Sequence, residues 1–239
     1  MRIYFIRHAQ SNNNAMWLET HSSHGRHEDP ALSTLGEAQA KCLAEFIHQV
    51  DSEDRDGKAT GYPVRGFGLT HLYCSLMHRS VATAFAIAKS FGLTPEAYGR
   101  FCEYGGIFLK DEVTGQVVGK SGKPRSFFEH HYPGVMLSDE ITEAGWWNKP
   151  QEPELDFHAR VKEACDFIIQ RHQQSEDRVA IVSHGDFYQA FMAQMLGIPF
   201  DARIWFGIKN CGITRMDLVD GNLGLIYTNR VDYLGELLV

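Results

Sequence analysis

Short, almost unbroken apolar runs alternate along this chain with longer stretches whose apolar residues recur every three or four positions. Arg2 to Ile6, Leu69 to Cys74 and Arg178 to Ser183 are runs of the first kind. Their length and their β-branched and aromatic content predict strands, and the lack of polar alternation predicts burial on both faces. The helical patterns lie between them. The clearest opens at Thr34 and Glu37, which read as a capping box, and carries Leu35, Ala38, Cys42, Phe46 and Val50 along one face. Arg79 to Phe91, Asp156 to His172 and Asp186 to Leu196 follow, the last ending in Gly197 and Pro199, a helix-stop signature. Near the end, Ile213 to Val219 and Leu225 to Arg230 flank Asp220-Gly221 and predict an antiparallel hairpin at or near a sheet edge.

Strand and helix thus alternate through most of the chain, the pattern of a three-layer α/β/α sandwich with a mostly parallel central sheet. Two stretches interrupt the rhythm. Asp51 to Gly66 is charged and rich in Gly and Pro; Gly105 to Pro153 is long and irregular. The second holds Phe108, Phe127, Phe128, Tyr132, Trp146 and Trp147, too much apolar surface for a solvated linker. It reads as a folded insertion covering a site, at about 105–153 of a single domain spanning 1–239. Its aromatic content suits a substrate with an apolar or ring-containing body.

Composition narrows the partners. The 239 residues are 44% hydrophobic and 22% charged, an ordinary globular balance, with a formal charge of -7 and scattered Lys and Arg. That distribution predicts binding to neither nucleic acid nor an anionic membrane, so an anionic ligand requires a local cationic pocket. Five widely spaced cysteines without a CxxC pair fit a reducing, cytoplasmic compartment better than a disulfide framework or a zinc knuckle. The first apolar run leads directly into Arg7 and His8, which predicts neither a signal-peptide core nor a membrane span there.

Open parallel sheets bind ligands at the carboxyl ends of their strands. The first strand delivers Arg7, His8, Ala9, Gln10 and Ser11 to that end, with Asn14 close behind. A second delivers Ser183, His184 and Gly185, and a third delivers Ser75 and, after a turn, Arg79. Two histidines and two arginines can therefore converge from three strands on one pocket. Arginine holds two oxygens with a planar, permanently charged fork, and a neutral imidazole is a competent nucleophile, so the combination suits phosphoryl transfer.

The chain resembles the histidine phosphatase superfamily, named for an Arg-His-Gly motif and including the cofactor-dependent phosphoglycerate mutases. The resemblance runs through RHAQSNNN at 7–14, DPALSTLGEAQA at 29–40, YCSLMHRSVATA at 73–84, Glu103 and SHGD at 183–186. It implies a phosphohistidine on His8; Arg7, Arg79 and His184 on the transferring oxygens; Glu103 as the acid for the leaving oxygen; and Asn14, with Ser11 and Gln10 beside it, near the phosphate. Asn210 resembles the family's late site asparagine. The departure is Ala9 where glycine is usual, acceptable if the backbone there is not left-handed.

The residues predict a phosphatase for small-molecule phosphate esters or phosphoproteins, with no cofactor and no metal. His21, His24 and His27 with Glu28, and His130 with His131, fit no metal-ligand spacing and read as surface histidines. Lys120, Lys123 and Arg125 are candidate contacts to an anionic substrate body. A mutase would use the same residues, but the resemblance places an arginine after the acid and an arginine pair in the insertion of such enzymes. Here Tyr104 follows Glu103 and Arg125 stands alone. A non-catalytic phospholigand-binding module would not need the full set of His8, Arg79, Glu103 and His184.

Overall fold

A computed structural model describes residues 1–48, 67–200 and 203–238. Its first strand, β1 (Arg2–Arg7), leads through a short loop into α1 (Asn12–Thr20) and then α2 (Thr34–His48). Next come β2 (His71–Ser75), α3 (His78–Phe91) and β3 (Glu96–Tyr98). A small antiparallel pair, β4 (Phe108–Lys110) and β5 (Val117–Gly119), precedes α4 (Arg125–His131) and β6 (Met136–Leu137). The rest is α5 (Glu154–His172), β7 (Arg178–Ser183), α6 (Gly185–Met195) and the hairpin β8 (Ile213–Val219) and β9 (Asn222–Arg230).

The main sheet has the order β6-β3-β2-β7-β1-β8-β9. Strands β6, β3, β2, β7 and β1 are parallel, and β8 runs antiparallel to both β1 and β9. The hairpin lies at the sheet edge, as its turn residues predict. Alternation along β1 divides the core in two: Tyr4 and Ile6 pack with residues of α2 and α3, and Ile3 and Phe5 with residues of α5 and α6. All four are fully buried, so the sheet is covered on both faces and the three-layer reading holds. Burying each such side chain contributes about 1.5–3 kcal/mol.

The helix starting near Thr34 differs from the sequence reading in cap and in face. Ser33, not Thr34, caps it, its Oγ accepting the Gly36 N–H at 3.0 Å. The buried face runs through Gly36, Gln39, Ala40, Leu43, Ala44, Phe46 and Ile47, while Ala38 is exposed. Apolar periodicity cannot find such a face because a polar residue sits at its centre: the Gln39 Oε1 accepts the Gln10 N–H at 2.9 Å and its Nε2 donates to the Leu237 carbonyl at 2.8 Å. A Cβ on Gly36 would stand 1.9 Å from the Gln10 carbonyl oxygen, so only glycine lets α2 approach the loop after β1. Val50 and the stretch from Asp51 to Gly66 lie outside the described residues.

Segment 105–153 is less irregular than its composition suggests. It holds β4, β5 and α4, and returns through β6 to the sheet edge beside β3. Phe128, Trp146 and Trp147 are buried, with Trp147 against Gly106 and Trp146 over Gly122. Phe127 and Tyr132 pack around His78. The aromatic content of the insertion is therefore largely core.

Candidate active site

Because β2, β7 and β1 are neighbours in the sheet, their carboxyl ends open together. Arg7 pairs in register with Ser183, and the His8 N–H donates to the Ser183 carbonyl at 2.9 Å. The loop after β1 is fixed from three sides. The Ala9 N–H donates to Thr83 Oγ1 at 3.1 Å, Asn210 Nδ2 donates to the His8 carbonyl at 2.9 Å, and Ser33 N–H donates to the Gln10 carbonyl at 3.0 Å. Ala9 has no left-handed φ, so its methyl group is accommodated without strain.

Arg79, in the first turn of α3, donates from Nε to His8 Nε2 at 3.1 Å. A guanidinium only donates, so Nε2 carries the lone pair. The ring proton then sits on Nδ1, which donates to the Ala9 carbonyl at 2.7 Å. Burial, followed by the charges of Arg79 and Arg7, holds the His8 pKa well below the usual histidine value. His8 is thus a neutral imidazole with Nε2 facing the guanidinium.

His184 stands across from it, ring centroids 5.1 Å apart. It is fully buried, and neither of its ring nitrogens has a hydrogen-bond partner among the described residues. Burial and then Arg79, His8 and Arg7 keep its pKa well below the usual value too. Arg7 is anchored by one nitrogen, Nη1 donating to the Ile208 carbonyl at 2.8 Å, while its buried Nε is unpartnered. Orphaned buried polar atoms cost about 1–3 kcal/mol each, and those of His184 belong to a ring packed against His8.

Glu103 lies beside this cluster, after a single 3-10 turn at Gly99–Phe101. Its Oε1 accepts the backbone N–H groups of Tyr104 and Phe187, both at 3.0 Å. Burial first and the nearby Asp186 carboxylate second push its pKa up, against the pull of Arg79 and the two backbone bonds. The main chain around it is held by Arg160 of α5, which donates from Nη1 to the Arg100 and Cys102 carbonyls, each at 2.9 Å. Arg160 is itself clamped by the buried Glu152, Nε to Oε1 at 2.7 Å and Nη2 to Oε2 at 2.6 Å.

Arg7, His8, Ser11, Asn14, Arg79 and Glu103 line one cavity of about 410 Å³. Ser11 caps α1, its Oγ accepting the Asn14 N–H, while Asn14 Oδ1 accepts the Ser11 N–H at 3.1 Å. Other candidates lie elsewhere. Gln10 faces α2, its Oε1 accepting from Ser33 Oγ at 2.6 Å, and Asn210 supports the His8 carbonyl from behind. Arg125 does not line the cavity, because its guanidinium caps the carbonyls of Ile141 and Ser138 at 3.1 and 2.9 Å. Lys123 lies over the Phe127 ring, also away from the wall.

Sequence reasoning missed Asp29, Asp186, Glu152, Arg160 and Arg26. Asp29 is buried; its Oδ1 accepts the His78 N–H at 2.9 Å and lies 3.9 Å from Arg79 Nη1. Its burial pushes its pKa up to about 6. Asp29 and Asp186 both fall within quoted motifs, yet only the tertiary structure gives them partners. Arg26 and Tyr104 complete the cavity rim with Phe108 and Gln151.

Two further expectations concern metals and membranes. Among the described residues, His71, His172 and Asp177 form the one group of possible ligands close enough to share an ion, and His172 is already hydrogen-bonded to Asp177 and Tyr73. The histidine groups at 21–27 and 130–131 form no such cluster. No helix among the described residues is long and apolar enough to cross a membrane.

A family model for the histidine phosphatase superfamily (branch 1) matches residues 3–55 and 54–230. The chain belongs to that superfamily. It is 27% identical over 218 residues to a probable phosphoglycerate mutase of Erwinia tasmaniensis, covering 91% of this chain and 85% of that one. Among solved structures, an α-ribazole phosphatase of Shigella flexneri superposes with a TM-score of 0.62 at 16% identity, covering 96% of each chain. A mycobacterial glucosyl-3-phosphoglycerate phosphatase superposes with a TM-score of 0.57 at 18% identity, covering 96% of this chain and 99% of that one. These similarities place the fold within a family of phosphatases and mutases.

Proposed function

We propose that the protein is a phosphatase that hydrolyses phosphate monoesters through a covalent phosphohistidine on His8. The observation that carries this reading is the His8 tautomer: Arg79 faces Nε2 and the Ala9 carbonyl takes the Nδ1 proton, leaving the lone pair on the cavity side. Around it, His184 and Arg7 present ring and guanidinium nitrogens with no protein partner. An arriving phosphate gives Arg7 Nε and the one protonated ring nitrogen of His184 an acceptor, and draws Arg79 from His8 Nε2 to an equatorial oxygen.

In the first step the Nε2 lone pair forms a bond to phosphorus while the bond to the ester oxygen breaks, and Glu103 passes its proton to that oxygen. In the second, water attacks phosphorus, Glu103 as carboxylate takes the water proton, and the P–N bond breaks, restoring neutral His8. One carboxyl with a raised pKa serves both steps. Arg7, Arg79 and His184 stabilise the charge on the transferring oxygens, so the chemistry needs no metal. The neutral state of His8 keeps it nucleophilic.

Two features favour hydrolysis over intramolecular return of the phosphoryl group. Tyr104 follows Glu103 where the resemblance would place a mutase arginine, and Arg125 is used in packing. The probable mutases among the relatives keep the second reading alive. The substrate in this reading is a small phosphate ester, like those for which the similar α-ribazole phosphatase and glucosyl-3-phosphoglycerate phosphatase are named. Five free cysteines suit a reducing, cytoplasmic compartment.

The test is phosphate release from para-nitrophenyl phosphate, with chelator present and bisphosphoglycerate absent, for wild type and His8→Ala. Turnover in the wild type that vanishes in the variant supports the reading. No turnover in the wild type moves the weight to the mutase, which conversion of 3-phosphoglycerate would then reveal.

A further inference from the structure

The transferring phosphoryl group is accounted for by Arg7, Arg79, His8 and His184, yet a third guanidinium faces the same cavity. Arg26 lies in the loop between α1 and α2 and is half-buried. Its side chain has neither a hydrogen bond nor an ion pair with any described residue. What it does have is a platform: the guanidinium carbon lies 4.9 Å from the centroid of the Phe108 ring, on β4. Stacking fixes the plane of an arginine while leaving its N–H edge free to donate.

The loop is also tied down. Glu112, in the turn between β4 and β5, accepts the Gly25 N–H at 2.8 Å and pairs with His24 Nδ1 at 2.9 Å. The residue before Arg26 is thus pinned to the same hairpin that supplies Phe108. A cation exposed for solubility alone needs neither a ring beneath it nor its backbone anchored across the cleft. Arg26 is drawn to the Glu103 carboxyl, yet its charge still helps lower the Arg79 pKa, so two cations repel each other across the cavity. Bound anions relieve that repulsion.

We propose that Arg26, stacked on Phe108, forms a second anion subsite, and that the preferred substrate is a phosphate monoester carrying a further anionic group, a carboxylate or another phosphate. Both groups must fit one cavity of about 410 Å³, so the second anion is borne within a few bonds of the ester oxygen. The inference rests on the phosphatase reading for the position of the ester phosphate.

A matched pair of probes tests it: 3-phosphoglycerate and glycerol 3-phosphate, which differ in a carboxylate replacing a hydroxymethyl group. Phosphate release is followed for wild type, Arg26→Gln and Arg26→Lys. The expected result is a wild-type preference for 3-phosphoglycerate of about tenfold or more in kcat/KM, the size of one charge-assisted contact. Arg26→Gln should remove the preference through KM, leave glycerol 3-phosphate within about twofold, and be partly rescued by lysine. Equal loss on both esters would overturn the subsite, because Arg26 would then serve the shared phosphate or the fold; an intact preference in Arg26→Gln would overturn it too. If the wild type hydrolyses neither ester, para-nitrophenyl phosphate decides the phosphatase reading, and calorimetric titration with the same pair decides the subsite alone. There, tighter binding of 3-phosphoglycerate that Arg26→Gln abolishes supports it, and equal binding of both esters overturns it.

Discussion

Arg79 Nε and His8 Nε2 lie 3.1 Å apart, so in the proposed reaction the group that orients the nucleophile also serves the phosphate. Each phosphate that entered would take over this hydrogen bond, and each product that left would return it. Arg79→Ala should therefore lose about 10²–10³-fold in kcat/KM, the usual cost of removing one donor to a transition-state oxygen. Steady-state rates on para-nitrophenyl phosphate, with circular dichroism to verify folding, check this.

The same contact predicts the protonation of His8. Its folded-state pKa is depressed by burial and by Arg79 and Arg7, so the ring stays neutral as pH falls through 6.5. Nitrogen-15 NMR between pH 5 and 8 should find His8 as the Nδ1–H tautomer throughout. A His8 transition near pH 6.5 would contradict the arrangement.

Glu103 should reveal itself through the leaving group. Glu103→Gln removes the proton donor, so alkyl phosphates should lose about 10²–10⁴-fold. Para-nitrophenyl phosphate, whose leaving group needs little protonation, should lose much less; equal losses would exclude the acid role.

Asp186 raises the Glu103 pKa, and the sign of its removal follows. Ester cleavage requires protonated Glu103, so rate falls as pH rises through its pKa. Asp186→Asn lowers that pKa, and the alkaline limb of kcat/KM should move to lower pH. The ratio of variant to wild type across pH cancels the ionisation of the ester itself and gives the displacement directly.

Asp29 offers a test by stability. Its pKa rises from the ordinary aspartate value to about 6 in the fold, so its contribution is complete below about pH 4 and is lost as pH rises through 6, by about 3 kcal/mol. His78, depressed to about 4, opposes it in the same window, since its contribution is lost as pH falls. Denaturant unfolding of wild type and Asp29→Asn separates the two: the difference should shift in favour of the variant between pH 4 and 7.

Much of this was legible in the sequence where chemistry and local pattern coincide. Apolar runs marked β1, β2 and β7, and of the residues at or just beyond their ends Arg7, His8 and Arg79 reached a common cavity, with His184 packed against His8, because parallel strands end together. The supports were not legible. Arg160 and Glu152 are eight positions apart, and they matter only because α5 carries Arg160 beneath the carbonyls of Arg100 and Cys102. Gln39 occupies a face that periodicity assigns to apolar residues, and Arg125 has the right charge but turns toward carbonyls. Composition identifies such residues as polar without revealing which neighbours they satisfy.

The tie from Glu112 to Gly25 and His24 joins the loop of Arg26 to the β4–β5 hairpin, and neither segment supplies the nucleophile or the acid. In the proposed reaction, chemistry and choice of substrate are consequently carried by separate parts of the chain. The rim can be rewritten, by exchanging residues at 22–26 and 108–117 together, while the machinery on the strand ends stays as it is. In a family that spans many phosphate esters, that division offers a physical route by which one reaction acquires a new client without being reinvented.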